Sequence, residues 1–548
     1  MNKPTLKSVS VKQLYTYLDG GKFAVPKLQR AFVWNGNKAA KLLDSICRGM
    51  PIGSVIVWDT GRKNRNMLRQ SLHILPPFND YNKRVWFVLD GQQRLSVLHQ
   101  IRKGGERENG SRRLVDFDRV VFRVAGTDGA ADFQYRKPVP GAWVPLSTVL
   151  SPNWRVMLRG LSAGQLARVR RCRERIRGYR VPIVSVESDS LEDARELFIR
   201  INSLGTPLGA ADRAFARASE FDLRELAEQT WQQLPHKFRK VRYEILLQTL
   251  ALVEGVGDVG ERAFETVIEQ WDARLEEHEG ARAEFNKTWK RLSDAILLSL
   301  EYLNNRFNVL DDGLLPSEYM IATLSIFFFS RGSQPTAWQR REIKKWFWAT
   351  SLGQRYSGRG FRENILKDAE YFERLARRGA ARFAAGELLD PSDLTRTVYG
   401  QRSSVADAFY CLLVSNSPLY LADGEKMPVD FYASQGSRKH KHHIFPRDLL
   451  RRHGVPSRRA NSIVNICFVP ARDNSVFGSR RPSVYLEEYR DRRHFKRALR
   501  SHLIPDGEVG GLWDDNVYRG YNTFLRERTR RICRAFEAAA GCKLFRKD

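Results

Sequence analysis

The sequence predicts an α+β protein built in three parts, and changes in residue pattern along the chain carry this prediction. Short β-branched runs alternate with helical segments up to about residue 230. Helical periodicity alone continues to about residue 410, and short strands with basic loops follow. Because apolar residues recur differently in strands and helices, such changes mark folding units. We predict an α/β domain over 1–230, a helical connector over 231–410 and a smaller mixed domain over 411–548.

Three apolar runs in the first part have the length of buried strands. They are SVIVW (54–58), VWFVLD (85–90) and VPIVSV (181–186), and a polar or glycine turn follows each run. Unbroken apolar runs indicate strands that are covered on both faces. A helix is predicted over 191–201, with Ser190 as its N-cap and Asp193 completing a capping box.

The middle part repeats apolar residues at three- and four-residue spacing, which is typical of amphipathic helices. The clearest segments are 241–253, 271–303 and 341–352. The most apolar run, IATLSIFFF (321–329), is too short to cross a bilayer and predicts a buried helix. A last helix near the C-terminus is predicted to end at Gly541.

The chain is strongly basic, with 92 Lys and Arg against 62 Asp and Glu and a net charge of +30. Such a field attracts polyanions, so nucleic acid is the first candidate partner and an anionic membrane surface the second. The six cysteines form no C-x-x-C pair, which argues against a zinc ribbon or a disulfide framework. With no signal-peptide pattern at the N-terminus, we expect a cytoplasmic protein without a membrane partner.

Histidines and asparagines near the C-terminus form an ordered set. The segment RKHKHHIFPRDLL holds His440, His442 and His443, and Asn465 and Asn474 follow. We predict that the paired histidines close a strand, that Asn465 lies in a second strand and that Asn474 opens a helix. Phosphodiester hydrolysis needs a general base and a divalent cation, which imidazole and amide groups can serve. The alternative is a surface cluster of His and Lys. A zinc protease of the His-Glu-x-x-His type is excluded, because that spacing is absent.

This segment resembles the HNH nucleases of the His-Me finger superfamily, whose nuclease domain is a ββα-metal fold. The resemblance implies that His443 is the general base and that His442 and Asn474 hold Mg²⁺ or Mn²⁺. It also implies that Asn465 braces the loop between the strands. The chain departs from the commonest pattern at His442, where an acid is frequent. Imidazole accepts transition metals as well as magnesium, so the metal preference stays open.

Arginines are dense around this motif, and a nuclease needs contacts to the DNA backbone. We expect four of them to contact DNA: Arg447, Arg451, Arg458 and Arg480. Three more lie close by in the sequence and share the same alternatives of DNA contact or simple solubilisation: Arg452, Arg459 and Arg481. His440 is expected to touch phosphate or solvent rather than metal.

Three further motifs lie in the first part: PKLQRAFVW (26–34), VLDGQQRLSVLHQI (88–101) and ELFIRINSLGTPLGAADRAFA (196–216). The second motif predicts a strand, a tight turn at Gly91 and a helix start. Free amides at a helix N-terminus attract anions, and Arg94 adds a forked donor for phosphate. Asp90 is placed to bind Mg²⁺ or orient water. Taken alone, the motif is more readily explained as an ordinary capped turn.

The three motifs in this order, over roughly residues 8–220, resemble the N-terminal domain of GmrSD-type restriction enzymes. That domain has a ParB/sulfiredoxin-like fold that uses nucleotides, and in this family it precedes an HNH domain. GmrSD-type enzymes are type IV restriction enzymes that cut modified phage DNA and use nucleoside triphosphates; the anti-phage proteins SspE and BrxU have a similar build. The resemblance implies a nucleotide site formed by Asp90, Gly91, Gln92, Gln93, Arg94, Gln29 and Arg30. Whether Asn202 and Asp212 contact ligand or brace the fold is left open.

Two sets of aromatic residues allow more than one interpretation. Phe32 and Trp34 could line a pocket for a modified base, although core packing is the favoured explanation. The second set interleaves aromatics with arginine and fits either a nucleic-acid track or a basic helix face with buried tryptophan: Trp346, Trp348, Arg355, Tyr356, Arg359 and Arg362.

Together these patterns predict an NTP-dependent, metal-dependent endonuclease that cuts or nicks modified phage DNA, with NTPase activity in its N-terminal domain. Three alternatives are kept. The nuclease could be triggered by phosphorothioate-modified DNA in an SspE-like system. It could also be an RNase of a defence system, or a regulatory nucleic-acid-binding protein. The sequence leaves open which modification is sensed, which NTP is preferred, whether one or both strands are cut, and whether the chain forms a homo-oligomer.

Overall fold

A computed structural model divides the chain into two compact units, Met1–Glu228 and Gln229–Asp548. Both units combine helices with strands, in agreement with the predicted α+β class. The structure describes residues 2–29, 31–69, 75–109, 114–125, 132–204, 210–218, 222–378, 381–428 and 441–546. The predicted site positions Arg30 and His440 lie outside these residues.

A mixed five-stranded sheet organises the described part of the first unit. The strands of this unit are β1 (Thr5–Ser10), β2 (Phe23–Ala24), β3 (Val55–Gly61), β4 (Arg84–Asp90), β5 (Glu106–Glu108), β6 (Leu114–Asp116), β7 (Val120–Arg123), β8 (Phe133–Tyr135), β9 (Trp143–Pro145) and β10 (Arg180–Glu187). The sheet runs in the order β1-β10-β3-β4-β2, with β10 parallel to β3 and β2 parallel to β4. The three predicted strands are thus confirmed as β3, β4 and β10. Strands β5 and β6 form a separate pair, and β8-β7-β9 form a small antiparallel sheet.

Burial separates β4 from its neighbours in the sheet. Trp86 and Val88 belong to one hydrophobic cluster, whereas Val85, Phe87 and Leu89 belong to another. Because successive side chains of a strand point to opposite faces, β4 is covered on both sides, as its unbroken apolar run predicts. Strands β3 and β10 instead have partly exposed positions between buried ones, so the same prediction is wrong for these two strands.

Helices surround the sheet of the first unit. They are α1 (Val11–Asp19), α2 (Gly36–Cys47), α3 (Gln92–Lys103), α4 (Leu146–Leu150), α5 (Trp154–Met157), α6 (Ala163–Gly178), α7 (Leu191–Leu204) and α8 (Ala210–Arg217). Helix α9 (Leu223–Gln233) begins in this unit and ends beyond Glu228. Helix α7 confirms the predicted N-cap, because the Asp193 amide donates to Ser190 Oγ at 3.2 Å. The second half of the predicted capping box is replaced: the Asp193 carboxylate accepts from Ser188 Oγ at 2.7 Å.

The second unit begins with long helices and ends with the histidine region. The helices before that region are α10 (Glu244–Val253), α11 (Glu261–Glu277), α12 (Ala281–Phe307), α13 (Tyr319–Arg331), α14 (Ala337–Leu352), α15 (Phe361–Arg378), α16 (Ser392–Arg396) and α17 (Ser404–Ser415). The elements after them are β11 (Lys441–His443), α18 (Arg447–Arg452), α19 (Ser457–Ala460), β12 (Ile466–Phe468), α20 (Ala471–Phe477), α21 (Pro482–Tyr485), α22 (Glu487–Arg490), α23 (Phe495–Ser501) and α24 (Val517–Ala540).

The helical predictions for this unit are largely confirmed. Helix α13 carries the apolar run and buries Leu324 and Phe327 completely. The segment predicted as one helix over 271–303 is divided, because His278 leaves the helical conformation and Gly280 precedes the start of α12. Helix α24 ends at Gly541 in the left-handed conformation, as predicted. Of the described helices, none combines the length and apolar character that a membrane crossing requires.

Helices on both sides of residue 410 share one core. Phe307 and Phe347 stack with ring centroids 4.0 Å apart, and Trp348 meets Phe536 of α24 edge-on at 5.5 Å. The predicted boundary between 410 and 411 lies inside α17. The division of this unit into a connector and a nuclease domain stays a prediction.

Candidate active site

Two short antiparallel strands place the paired histidines. Strand β11 pairs with β12 so that His442 lies opposite Cys467 and His443 opposite Ile466. The histidines therefore close a strand, as predicted. Asn474 lies in α20, also as predicted. Asn465 differs from the prediction, since it ends a 3-10 turn directly before β12 rather than lying within the strand.

Asn465 joins the two ends of this ββ element. Its side-chain Oδ1 accepts from the Phe445 amide at 2.9 Å, while its Nδ2 donates to the Phe445 carbonyl at 2.9 Å and the Ala460 carbonyl at 3.0 Å. The Asn465 backbone carbonyl also accepts from the Ile444 amide at 2.9 Å. A side chain with no solvent exposure that satisfies three buried backbone groups braces the loop after β11.

His442 is buried beside Asn474. The two residues meet through His442 Nδ1 and Asn474 Oδ1 at 2.6 Å, and the edges of Phe477 and Tyr485 pack against the imidazole. Only 4% of His442 is exposed. Burial lowers its pKa to about 4, against the smaller opposing effect of the Asn474 contact. The imidazole is therefore neutral at physiological pH and can act as a metal ligand.

His442 and Asn474 bring together two neutral donor atoms of the kind that bind divalent cations. Their 2.6 Å separation is that of a hydrogen bond and is shorter than the roughly 3 Å between adjacent ligands of an octahedral Mg²⁺ ion with bonds of about 2.1 Å, so the pair would have to open slightly to hold a cation. His442 Nε2 is buried and has no hydrogen-bond partner among the described residues, so no second contact fixes the tautomer of the ring. The proton can move to Nε2 and free the Nδ1 lone pair beside Oδ1. Within the described residues, no group of three or more His, Cys, Asp and Glu side chains has metal-binding geometry. A cation here would have His442 and Asn474 as its protein ligands, with water in the remaining positions.

His443 is oriented by a residue that the sequence analysis missed. Its Nε2 lies 2.7 Å from Asn461 Oδ1, and Asn461 Nδ2 donates to the Tyr399 carbonyl at 2.9 Å. Because the amide nitrogen is already used, the oxygen faces the imidazole and Nε2 carries the proton. The Nδ1 lone pair is then left to take a proton. Burial lowers the pKa of His443, and the charge of Arg447 lowers it further, so the neutral form is favoured.

Asn461 gave a weak signal in the sequence. It is the first asparagine of NSIVN, and Asn465 was the expected one of the two. Tyr399, whose ring meets the His443 imidazole edge-on at 5.4 Å, lies more than 40 residues before the motif and had no signal. Only the packing of the segment around residue 398 against the turn before β12 brings them together, through the bridge between Val398 and Ser462.

A buried arginine supports the ββ element from behind. Arg528 of α24 has no solvent exposure and donates to the backbone carbonyls of Val464, Ile466 and His502. Burial lowers its pKa to about 10, which leaves it charged at physiological pH. Tyr485 adds a hydrogen bond of 2.6 Å to the Ile444 carbonyl. These contacts anchor β12 and the loop after β11, which carry the backbone around both histidines.

The predicted DNA-contacting arginines fall into two groups. Arg451 pairs with Asp448 at 3.0 Å, and Arg480 donates to the Phe477 and Val476 carbonyls at the end of α20. Arg447 and Arg458 are exposed and make no ion pair with the described residues. The second group therefore has its full charge available for a ligand, whereas the first serves local structure as well.

A basic groove of about 540 Å³ lies next to Asn461. Helix α19, which leads directly into Asn461, contributes Arg458 and Arg459 to its wall. Arg396 and Arg526 line it from other helices, although each also pairs with a neighbouring acid. Four arginines in the wall of one groove suit a polyanion backbone.

The DGQQR motif occupies the turn between β4 and α3. The pairing of β3 with β4 shifts register between Ile56 and Val57, directly beside Asp90. Such an irregularity bends the strand end and re-aims its side chains. Gly91 takes φ 91° at the N-cap of α3, a conformation that favours glycine, and no side chain caps the helix. The amides at this helix start are thus available to an anion, as predicted.

Arg94 and Asp90 contact each other instead of standing free. Arg94 Nη2 lies 2.8 Å from Asp90 Oδ2, and Nη1 donates to the Ile52 carbonyl at 2.5 Å. Gly53 makes room for this arrangement, because a Cβ atom there would lie 2.2 Å from Arg94 Nη1. The Asp90 carboxylate is 42% exposed, so it remains accessible to a ligand.

The glutamines of the nucleotide prediction differ in their roles. Gln93 Oε1 accepts from the Val33 amide at 2.9 Å, and Gln29 Nε2 donates to the Leu89 carbonyl at 2.5 Å, so both brace the backbone. Gln92 is 3% exposed, and its Nε2 has no partner among the described residues. Gln92 is therefore the glutamine with hydrogen-bonding capacity to spare.

The remaining predicted residues have structural contacts. Asn202 donates to the Phe198 carbonyl at 2.8 Å, and Asp212 accepts from Arg224 at 2.8 Å. Phe32 is 1% exposed in the core, and Trp34 packs against the same core, which supports the core explanation for both.

The second aromatic set also builds a core. Trp346 is fully buried, and its indole donates to Tyr356 Oη at 3.1 Å and to Asp368 at 3.2 Å. Arg355 contacts the same carboxylate through both Nε and Nη2. The track interpretation is wrong for these three residues, because their polar groups are engaged with Asp368.

Comparison with known proteins bears on the first unit. Residues 11–218 match the GmrSD restriction endonuclease N-terminal domain. This match supports a GmrSD-type restriction endonuclease N-terminal domain in the first unit. It ends before the second unit, so it does not reach His442 or His443.

A curated relative extends over both units. The uncharacterized protein MJ0686 of Methanocaldococcus jannaschii is 23% identical over 595 aligned positions, which cover 93% of this chain and 95% of the relative. The GmrSD-type N-terminal domain and the region after it are thus matched together in one protein of similar length.

Proposed function

We propose that the protein is a metal-dependent DNA endonuclease of the HNH type, which cuts or nicks modified phage DNA and whose N-terminal domain binds and uses a nucleoside triphosphate. The observation that carries the nuclease proposal is the placement of two neutral histidines side by side, one against an amide oxygen that fits a metal site and one oriented by Asn461. The GmrSD domain match supplies the restriction context.

His443 performs the proton transfer in this proposal. With Nε2–H donated to Asn461, Nδ1 presents a lone pair that removes a proton from the attacking water. The lowered pKa keeps that lone pair free at neutral pH, because the imidazole is not already protonated. Tyr399 and Asn461 hold the ring in one orientation. This lowers the entropic cost of reaching the transition state, because the base is already positioned.

His442 and Asn474 would hold Mg²⁺ or Mn²⁺, which would stabilise the negative charge on the phosphoryl group and on the departing oxygen. Both ligands are neutral, so the cation keeps its full charge for the phosphate. The stacked rings of Phe477 and Tyr485, with centroids 4.4 Å apart, both pack against the His442 imidazole, whose Nε2 is buried. The protein side chains thus fix the ligands, and the open side of the site accepts the substrate.

DNA binding is assigned to the basic groove and to the free arginines. Arg458 and Arg459 come from the helix that precedes Asn461, so a backbone bound in the groove would be held close to His443. Contacts of this kind position the duplex and carry no sequence information. Selectivity for modified DNA therefore requires a separate recognition site, which we assign to the N-terminal domain.

Nucleotide use is assigned to the start of α3. The uncapped helix start, the exposed Asp90 carboxylate and Gln92 Nε2, which has no partner among the described residues, lie within three consecutive positions. An anionic phosphate would bind the free amides, and it would compete with Asp90 for Arg94. Nucleotide binding would then move the Arg94 guanidinium from Asp90 to the phosphate.

Cleavage assays on three substrates test the proposal. Modified phage DNA, unmodified phage DNA and plasmid are incubated with wild type and His443→Ala, with and without Mg²⁺ and each NTP. We expect His443→Ala to lose cleavage by about 10²–10⁴-fold while retaining DNA binding, since the base is lost and the basic surface is kept. The matched control is His453→Ala, which removes an exposed histidine of the same region. Wild-type cleavage by His443→Ala under Mg²⁺ would reject the assignment.

A further inference from the structure

A cavity of about 220 Å³ lies among the helices of the second unit. Its wall is formed by the start of α17, the end of α14 and the beginning of α13, and hydroxyl groups are frequent in it. None of its lining residues belongs to the histidine site or to the basic groove. The cavity is smaller than the usual 300–1,000 Å³ of sites for drug-sized ligands, which limits it to a small molecule.

Two buried polar side chains line the cavity without a partner of their own. Thr350 is 2% exposed, and its Oγ1 has no hydrogen bond among the described residues. The fourth residue of α17, Asp407, is 7% exposed, and no described side chain or backbone group donates to its carboxylate. Leaving a buried hydroxyl such as that of Thr350 unsatisfied costs about 1–3 kcal/mol, and an unpartnered carboxylate in the same wall gives the cavity the character of a ligand site.

The start of α17 adds an anion-binding element to the same wall. The N-cap residue Ser403 makes no side-chain hydrogen bond to the helix, so the first amides of this 12-residue helix are uncapped. Arg402 directly precedes the cap, lines the cavity and forms no ion pair with the described residues. A helix N-terminus together with a free guanidinium is a strong environment for phosphate.

The polar groups of the cavity are therefore of two kinds. Arg402 and the α17 amides supply positive potential. Thr350 and Asp407 supply a hydroxyl and a carboxyl, which suit the hydroxyl groups of a sugar. Burial raises the pKa of Asp407 to about 7, so near neutral pH this carboxyl can donate as well as accept.

We propose that this cavity binds a small sugar phosphate, with its phosphate on the α17 N-terminus and Arg402 and a sugar hydroxyl on Thr350 and Asp407. Neither a bare sugar nor inorganic phosphate would satisfy both kinds of group. The ligand could be a free metabolite or the 5′-terminal nucleotide of a strand, since both present the same chemistry. The inference does not depend on the nuclease proposal, because it uses none of the residues of that site.

Isothermal titration calorimetry on the full chain tests this proposal with ribose 5-phosphate, ribose and inorganic phosphate. Ribose 5-phosphate is expected to bind at least ten times more tightly than either fragment. Arg402→Ala should weaken that binding at least tenfold, whereas Arg306→Ala, which removes another exposed charge of this unit, should leave it unchanged. Binding should persist in Arg94→Ala, because the cavity lies outside the DGQQR region.

Thr350→Val separates binding from folding. This variant removes the unpartnered hydroxyl and keeps the shape of the side chain, so the thermal midpoint of the ligand-free protein should rise while affinity for ribose 5-phosphate falls several-fold. Equal affinity in wild type and Arg402→Ala, or equal affinity for ribose and ribose 5-phosphate, would overturn the proposal. So would unchanged affinity in Thr350→Val together with a lower midpoint.

The source of the ligand is distinguished by competition. A duplex oligonucleotide with a 5′-phosphate and the same duplex with a 5′-hydroxyl are titrated against bound ribose 5-phosphate. Displacement by the phosphorylated duplex alone identifies a strand end as the ligand, and failure of both duplexes identifies a free sugar phosphate. Displacement by both duplexes to the same extent would contradict the phosphate requirement.

Discussion

His443 Nε2 lies 2.7 Å from Asn461 Oδ1, and the same asparagine is fixed through its Nδ2 on the Tyr399 carbonyl. This contact determines which nitrogen of the histidine carries the proton. It also ties the orientation of the proposed base to a segment that lies well before the histidine motif. The reactivity of His443 thus depends on packing that the motif itself does not encode.

Replacing Asn461 should impair cleavage without removing the base. Asn461→Ala is expected to lower the cleavage rate about 10–100-fold, as the loss of a partner that orients an active-site histidine does. Asn461→Asp should restore the hydrogen bond and place a negative charge beside the imidazole, which raises the pKa of His443. Since the neutral imidazole is the active form, the acidic limb of the pH–rate profile should move to higher pH. Asn305→Ala, at an exposed position, serves as the control.

If Asn461 had only a structural role, the two variants would behave differently. Both variants would then lose activity in proportion to stability, and the pH–rate profile of Asn461→Asp would coincide with that of wild type. Parallel thermal melts of the three proteins make the comparison.

Metal titrations should separate ligands from the bracing residue. His442→Ala and Asn474→Ala are expected to lose most activity at low Mg²⁺ and to recover partly at high Mg²⁺ or with Mn²⁺, because each removes one donor atom. Asn465→Ala should keep the wild-type metal dependence and lose stability instead, by about 1–3 kcal/mol for each backbone group left unpaired. Identical metal titrations for all three variants and wild type would remove the coordination model.

Arg94→Ala should affect the nucleotide and not the nuclease chemistry. We expect it to weaken NTP binding and hydrolysis and to change cleavage of modified DNA, because the arginine can no longer exchange between Asp90 and phosphate. Side-by-side assays of NTP turnover and cleavage on modified and unmodified DNA measure both effects. Arg102→Ala, which removes a paired arginine from the other end of the same helix, is the matched control. If Arg94→Ala keeps its nucleotide affinity and its cleavage rate, the motif is only a turn.

Acid should destabilise the second unit through His502. This residue is 2% exposed, and burial lowers its pKa to about 4 in the folded state, against an ordinary value of 6.5. The unfolded chain therefore binds the proton first, so stability is full above pH 6.5 and falls as the pH drops toward 4. At pH 5 the loss is about 2 kcal/mol. Denaturant unfolding of wild type and His502→Gln at pH 7.5 and pH 5 measures it, with the exposed His453→Gln as control. A pH dependence unchanged in His502→Gln would contradict the assignment.

Periodicity and local chemistry predicted much of this molecule. Strands β3, β4 and β10, the cap at Ser190, the buried helix α13 and the end of α24 follow from apolar spacing and capping residues, which act within a few positions of the chain. The order of the histidines and Asn474 was sufficient to place them on a strand and a helix. These features depend on residues that are close together in the chain, and they can therefore be predicted from the sequence.

What the sequence did not reveal depends on contacts between distant residues. The bulge beside Asp90 arises from the pairing of β3 with β4, and Arg94 finds the Ile52 carbonyl because Gly53 leaves space for it. Trp346 was ambiguous until Asp368 supplied a partner for its indole. No local pattern specifies these partners, since each is brought into place by the packing of separate elements.

Helix α17 runs through the position where composition suggested that one domain ends and another begins. A cut at residue 410 would divide this helix, and it would separate Trp348 from Phe536 and Tyr399 from His443. The histidine motif therefore depends on residues that precede position 410. In evolution, a recombination event that transplanted only the last 138 residues would leave the base without its orienting segment. A transferable module would have to include at least the stretch from Trp348 to Phe536, all of which belongs to the second unit.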